Sequence, residues 1–194
     1  IETELQSEIA DLMPPDQLAE AITFFESPAG VALVELELVA RAAISDDDVE
    51  SLARAEWAAR ADSDDPQVAL IRSFAEVNGL LERNTTATMT ARYHFMRGLN
   101  EGAGRPVSDD EILAQIWARE PQIRADTEGW LMGYLLLAYG PSKLDDLRAY
   151  VAFSKSPPGQ ALNAALFDGF DVAYGRISYG LGLVTGQASM QQDL

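Results

Sequence analysis

The chain has 194 residues, with 31 acidic against 14 basic side chains and a formal net charge of −17. That balance repels phosphate backbones and leaves no polybasic patch for anionic lipid, so it argues against nucleic acid and acidic membranes as partners. There is no cysteine, which removes disulfides, thiolate metal sites and cysteine nucleophiles together.

A chain of this length should bury about 70% of its unfolded surface, enough for one self-supporting domain. Helix signals recur from end to end, and alternating strand patterns bounded by hairpin turns are missing. The expected fold is therefore all-α, a multi-helix bundle in a single domain over residues 1–194. Because the chain opens on Ile1 rather than methionine, a signal peptide or another segment is expected upstream.

Pro14-Pro15-Asp16 opens the first readable helix, in which Leu18, Ala21, Ile22 and Phe25 fall at i, i+3, i+4 and i+7. Ser27-Pro28 must interrupt it, because a residue before proline is pushed out of the α region while proline suits the first turn of a new helix. Further starts stand at Ser45-Asp46-Asp47-Asp48, at Asp65-Pro66 and at Ser108, whose spacing to Glu111 is that of a capping box. The spacing of Val68, Ile71, Phe74 or Ala75, and Leu81 predicts a helix from Gln67 to about Arg83. A break is expected at Asn84-Thr85-Thr86, then a helix from Met89 to Leu99 and a loop over Gly98 to Val107, with three glycines and Pro106. Beyond it come a helix from about Asp109 to Ala118, another starting near Pro121, and the apolar run Gly129 to Tyr139, about half the length needed to cross a bilayer. Gly129 and Gly133, four apart, permit close helix packing.

The residues Phe24-Phe25-Glu26-Ser27-Pro28-Ala29-Gly30-Val31-Ala32-Leu33 and Phe153-Ser154-Lys155-Ser156-Pro157-Pro158-Gly159-Gln160-Ala161-Leu162 are identical at six of ten positions without a gap. Upstream, Asp16, Leu18 and Ile22 align with Asp145, Leu147 and Val151 at the same offset. This predicts an internally duplicated unit of helix, Ser-Pro break and helix, with copies at 14–43 and 141–184. In each, Phe24 or Phe153 ends the first helix, and Ser27 or Ser156 caps a free N–H of the next. Pro28 or Pro157 has no N–H to lose, and Gly30 or Gly159 allows close approach. A structural role is the stronger reading of this motif; the functional one is a pair of anion sites at helix N-termini.

At these residues the chain resembles the bacterial domain-of-unknown-function 2059 family, whose signature is a helix ending in Phe-Tyr/Phe-x-Ser-Pro-x-Gly before a second helix. The first copy fits fully; the second has Ser154 in place of the aromatic and an added Pro158. The resemblance covers about a third of the chain. It implies an all-helical domain exported to the bacterial periplasm, or secreted, and no activity.

Catalytic patterns are not found. His94 is the sole histidine and, in Tyr93-His94-Phe95-Met96, reads as a partly buried packing residue. The spacing of Gly175 to Gly180 is wrong for a nucleophile elbow, and no phosphate-cradling or dinucleotide glycine motif occurs, so no cofactor is expected. Asp62-Ser63-Asp64-Asp65 starts like a calcium loop, but Gln67 and Ser73 stand where its glycine and final glutamate should be, so it reads as a helix start and no metal site is expected. The C-terminal aromatics Phe167, Phe170, Tyr174 and Tyr179, with Leu183, read as core; exposed, they would mark a partner surface. The sequence thus leans away from an enzyme. It points to a binding or interaction module of the cell envelope, taking an unknown protein or small apolar ligand. The rival is an envelope hydrolase acting on glycan or peptide through paired carboxylates.

Overall fold

A computed structural model describes residues 2–192. Among them the chain is all-α: 86% is helical and no strand occurs. The helices are α1 (Glu2–Leu12), α2 (Pro15–Phe25), α3 (Pro28–Ala43), α4 (Asp47–Arg60), α5 (Pro66–Val77), α6 (Leu80–Gly102), α7 (Asp109–Trp117), α8 (Glu120–Tyr139), α9 (Leu144–Lys155) and α10 (Pro157–Gln192). None is long and apolar enough to cross a membrane.

Local chemistry sets most starts. The Asp46 carboxylate accepts from the N–H groups of Asp48 and Val49 at the head of α4, and that of Asp65 accepts from Gln67 N–H at the head of α5. Ser108 and Glu111 make the full capping box of α7. The Asp62–Asp65 segment is indeed a helix start, with Asp65 also paired to Arg60.

Three expected boundaries are corrected. The helix after Pro66 ends at Val77, not near Arg83, because Gly79 adopts the left-handed φ of 60° that stops a helix. Gly79 N–H bonds to the Glu76 carbonyl and the Asn78 amide to that of Phe74. Asn84-Thr85-Thr86 is then no break: α6 runs through it, with Thr85 buried. The loop expected from Gly98 starts only after Gly102, since Gly98 and Gly102 are buried helical residues.

The described residues fall into two compact units. The motif unit gathers Ala10–Leu81 and Asp126–Ala165; the seam unit gathers the residues up to Ile9, Glu82–Ala125 and those from Leu166 onward. The motif unit holds the main core, in which Leu33, Val68, Ile71, Ala138, Tyr139 and Leu147 are almost wholly buried. Here α9 packs against both α3 and α5, and α2 against α3. Buried Gln67 ties the end of α8 down, donating to the Tyr139 carbonyl at 2.5 Å and to Ser142 Oγ at 2.8 Å. At Gly133 a Cβ would stand 3.0 Å from the backbone of Ala53 and Arg54, so this glycine serves close packing of α8 on α4; at Gly129 a Cβ would meet only the end of the Arg54 side chain.

The seam unit is built on a second glycine pattern. A Cβ at Gly98 would lie 2.2 Å from the Tyr179 carbonyl oxygen, and one at Gly102 2.2 Å from that of Leu183. Reciprocally, Cβ atoms at Gly182 and Gly186 would lie 2.1 and 2.2 Å from the carbonyls of Phe95 and Leu99. Numbers rise together on both helices, so α6 and α10 pack in parallel through a glycine-every-four seam, close enough for Cα–H···O contacts. Ile112, Ile116, Ile123 and Ala173 are buried in this unit.

Candidate functional site

Both Ser-Pro breaks lie in the motif unit and make the same bonds. Ser27 has an extended backbone (φ −68°, ψ 157°), as does Ser156 (φ −76°, ψ 159°). Each serine hydroxyl accepts from the glycine N–H three residues on, 3.1 Å from Gly30 and 3.3 Å from Gly159. Each donates to the carbonyl of Phe24 or Phe153 at 2.6 Å. Pro158 therefore leaves the second start where the first predicts it, at Pro157. The glycines are obligatory: a Cβ would meet the Phe24 carbonyl oxygen at 2.3 Å from Gly30, and that of Phe153 at 2.1 Å from Gly159. One of the N–H groups a bound anion would use, that of Gly30 or Gly159, is taken by the serine itself.

The two breaks meet through their phenylalanines. The rings of Phe24 and Phe153 stack with centroids 4.3 Å apart and planes 4° from parallel. Phe25 sets its edge against Phe153 at 5.6 Å and against Tyr150 at 5.9 Å, and Phe74 lies 4.7 Å from Tyr150. The space between the motifs is filled by side chains. Beside it, Ala19, Glu20, Thr23 and Phe24 line only an open depression. The first-copy stripe is narrower than its spacing predicts: Ala21 is buried, but Ile22 is turned to solvent.

The aromatic junction leads to a polar cluster that the apolar spacing did not announce. Tyr139 donates to Glu37 Oε1 at 2.6 Å, and the Tyr150 hydroxyl is bonded to the same carboxylate. The Tyr134 hydroxyl reaches the Glu37 carbonyl at 3.4 Å, with Arg41 over its ring and Trp130 stacked against it. Burial raises the Glu37 carboxyl above its ordinary range, opposed by the phenol hydrogen bonds and by Arg41. Burial also pushes Tyr139, Tyr150 and Tyr134 upward, so the phenols stay protonated as donors. A signal existed: Leu33, Glu37, Ala40 and Ile44 share one helix face, and all but Glu37 are buried apolar residues.

In the seam unit His94, Arg97, Asp171, Val172, Gly175, Arg176 and Tyr179 line a groove. His94 is partly buried as expected, its ring occupying the room left by Gly175. Tyr179 donates to Glu101 at 2.6 Å. Asp171 is raised by burial and then by the charge of Asp168, with Arg83 opposing. The C-terminal aromatics are not all core, since Tyr174 is half exposed.

Glu37 and the phenols of Tyr139 and Tyr150 form a hydrogen-bonded network inside the motif unit. Every buried side-chain nitrogen or oxygen among the described residues has a hydrogen-bond partner, so no such atom points at a missing ligand. No cluster of three or more metal-ligating side chains occurs among them. No protein-family model, curated protein or solved structure matches the chain.

Proposed function

We propose that the chain is a non-enzymatic interaction module of the bacterial cell envelope whose duplicated helix, Ser-Pro break, helix unit is a rigid scaffold. The observation that carries this reading is the stacked Phe24–Phe153 junction, where the motif copies fill their own interface instead of enclosing a cavity. The constant offset between the copies and their matched serine caps support duplication. The Phe-Phe-x-Ser-Pro-x-Gly signature supports export.

A protein partner fits better than a small apolar ligand, because large apolar side chains of the motif unit face solvent. Leu38, Val39 and Leu52 are 64%, 68% and 70% exposed on α3 and α4, a form of exposure that marks contact surfaces when it is clustered. The test is a photo-crosslinking amino acid placed at each of these positions in the native host, with exposed Asp145 as control, followed by cell fractionation. Discrete adducts at 38, 39 or 52 and not at 145, in the envelope fraction, are expected. Adducts no different from the control, or a cytoplasmic protein, would defeat the proposal.

One observation favours the rival hydrolase: Asp171, lining a groove with His94 and Tyr179, is raised first by burial and then by the charge of Asp168, the direction a general-acid carboxyl needs. On that reading Asp171→Asn abolishes cleavage of glycan or peptide. On ours the parent chain cleaves neither.

A further inference from the structure

Helix α10 has one side locked on α6 by Gly182 and Gly186. On another side Tyr174, Ile177, Leu181 and Val184 are 51%, 43%, 59% and 64% exposed, and their steps of three, four and three residues are those of a helix-pairing stripe. Within the stripe stands Gly180. Every other helical glycine described has a neighbouring atom that a Cβ would touch; at Gly180 nothing lies within 4 Å. Glycine is the least favourable residue but proline for a helix interior, so this one disfavours the helix without any packing return inside the chain. A second backbone crossing at that point would supply the return.

Charge identifies the occupant. Residues 177–192 carry no charged side chain, the longest such run in a chain of net charge −17. A basic partner would seek the acidic surface and gain nothing from this strip. Two copies repel one another over most of their surface, yet can meet here without opposing like charges. A stripe centred on a bare glycine is also self-complementary under a two-fold axis. We propose that α10 pairs with α10 of a second copy, the two helices crossing at Gly180 and interleaving Ile177, Leu181 and Val184.

Sedimentation velocity over about 1–300 μM tests this. The parent is expected to shift from a 21.1 kDa monomer to twice that mass within the range. Gly180→Leu and Leu181→Glu should each weaken association at least tenfold, with unchanged helical circular dichroism. Gly180 faces open space in the monomer, so its replacement does not disturb the fold, and a fall in the variant's melting temperature at 1 μM would contradict the geometry. A parent that stays monomeric throughout, or variants that associate as tightly as the parent, overturns the proposal.

Discussion

At Gly30 and Gly159 a single hydrogen decides whether the motif closes. Neither residue needs a positive φ; each is glycine because a carbonyl in the last turn of the preceding helix, that of Phe24 or Phe153, occupies the place of a Cβ. Gly30→Ala and Gly159→Ala should each destabilise the motif unit by about 1–3 kcal/mol through overpacking, and Ser27→Ala or Ser156→Ala by about 1 kcal/mol through a lost cap. Urea unfolding of the variants checks both. Glu37 makes a prediction of opposite sign to that of an ion-paired acid. Its folded-state value lies above the unfolded one, so the folded state binds the proton more tightly. Its stabilising contribution is fully present below the unfolded value and is lost as pH rises through the folded one. Glu37→Gln should therefore gain on the parent between pH 4 and pH 8, read as a growing difference in denaturation midpoint. A difference that is flat or shrinks would contradict the burial. Serine, proline and glycine were legible because they act over three residues. Glu37 was not, because its phenol partners lie about a hundred positions away.

At the scale of elements, starts were read better than ends. Ser27, Asp46, Asp65 and Ser108 announce helices through side-chain chemistry, and each is a cap in the structure. The Asn78-Gly79 stop was missed because the apolar spacing runs on through Leu80 and Leu81, while polar Asn84-Thr85-Thr86 imitated a break. Gly98 and Gly102 imitated a loop for a related reason: a glycine that admits a neighbouring backbone looks, in one dimension, like one that ends a helix. The parallel seam of α6 and α10 yields its own test. Gly98→Ala and Gly182→Ala each place a methyl group about 2 Å from a carbonyl oxygen, and amide hydrogen exchange should accelerate at least tenfold along Phe95–Gly102 and Tyr179–Gly186. Exchange left at the parent rate would show that the helices do not approach there.

For the whole molecule, the acidic charge is the largest effect that pairwise contacts leave unbalanced. Ion pairs such as Arg54–Glu50 and Arg148–Asp145 lie at the surface, where each contributes about 0–1 kcal/mol and cannot offset the self-repulsion of a net charge of −17. Screening should relieve that repulsion, so the melting temperature is expected to rise between 0.05 and 1 M sodium chloride; a fall would mean that the exposed pairs outweigh it. The helical class was legible at this scale because periodicity is a local property. The two units were not, because each is assembled from segments far apart in sequence.

The most direct test of the scaffold is a double-mutant cycle on Phe24→Ala and Phe153→Ala by urea unfolding. Stacked rings at 4.3 Å should give a coupling energy of about 0.5–1.5 kcal/mol. Losses that add to within about 0.3 kcal/mol would mean that the two motif copies do not support one another, and would contradict the scaffold.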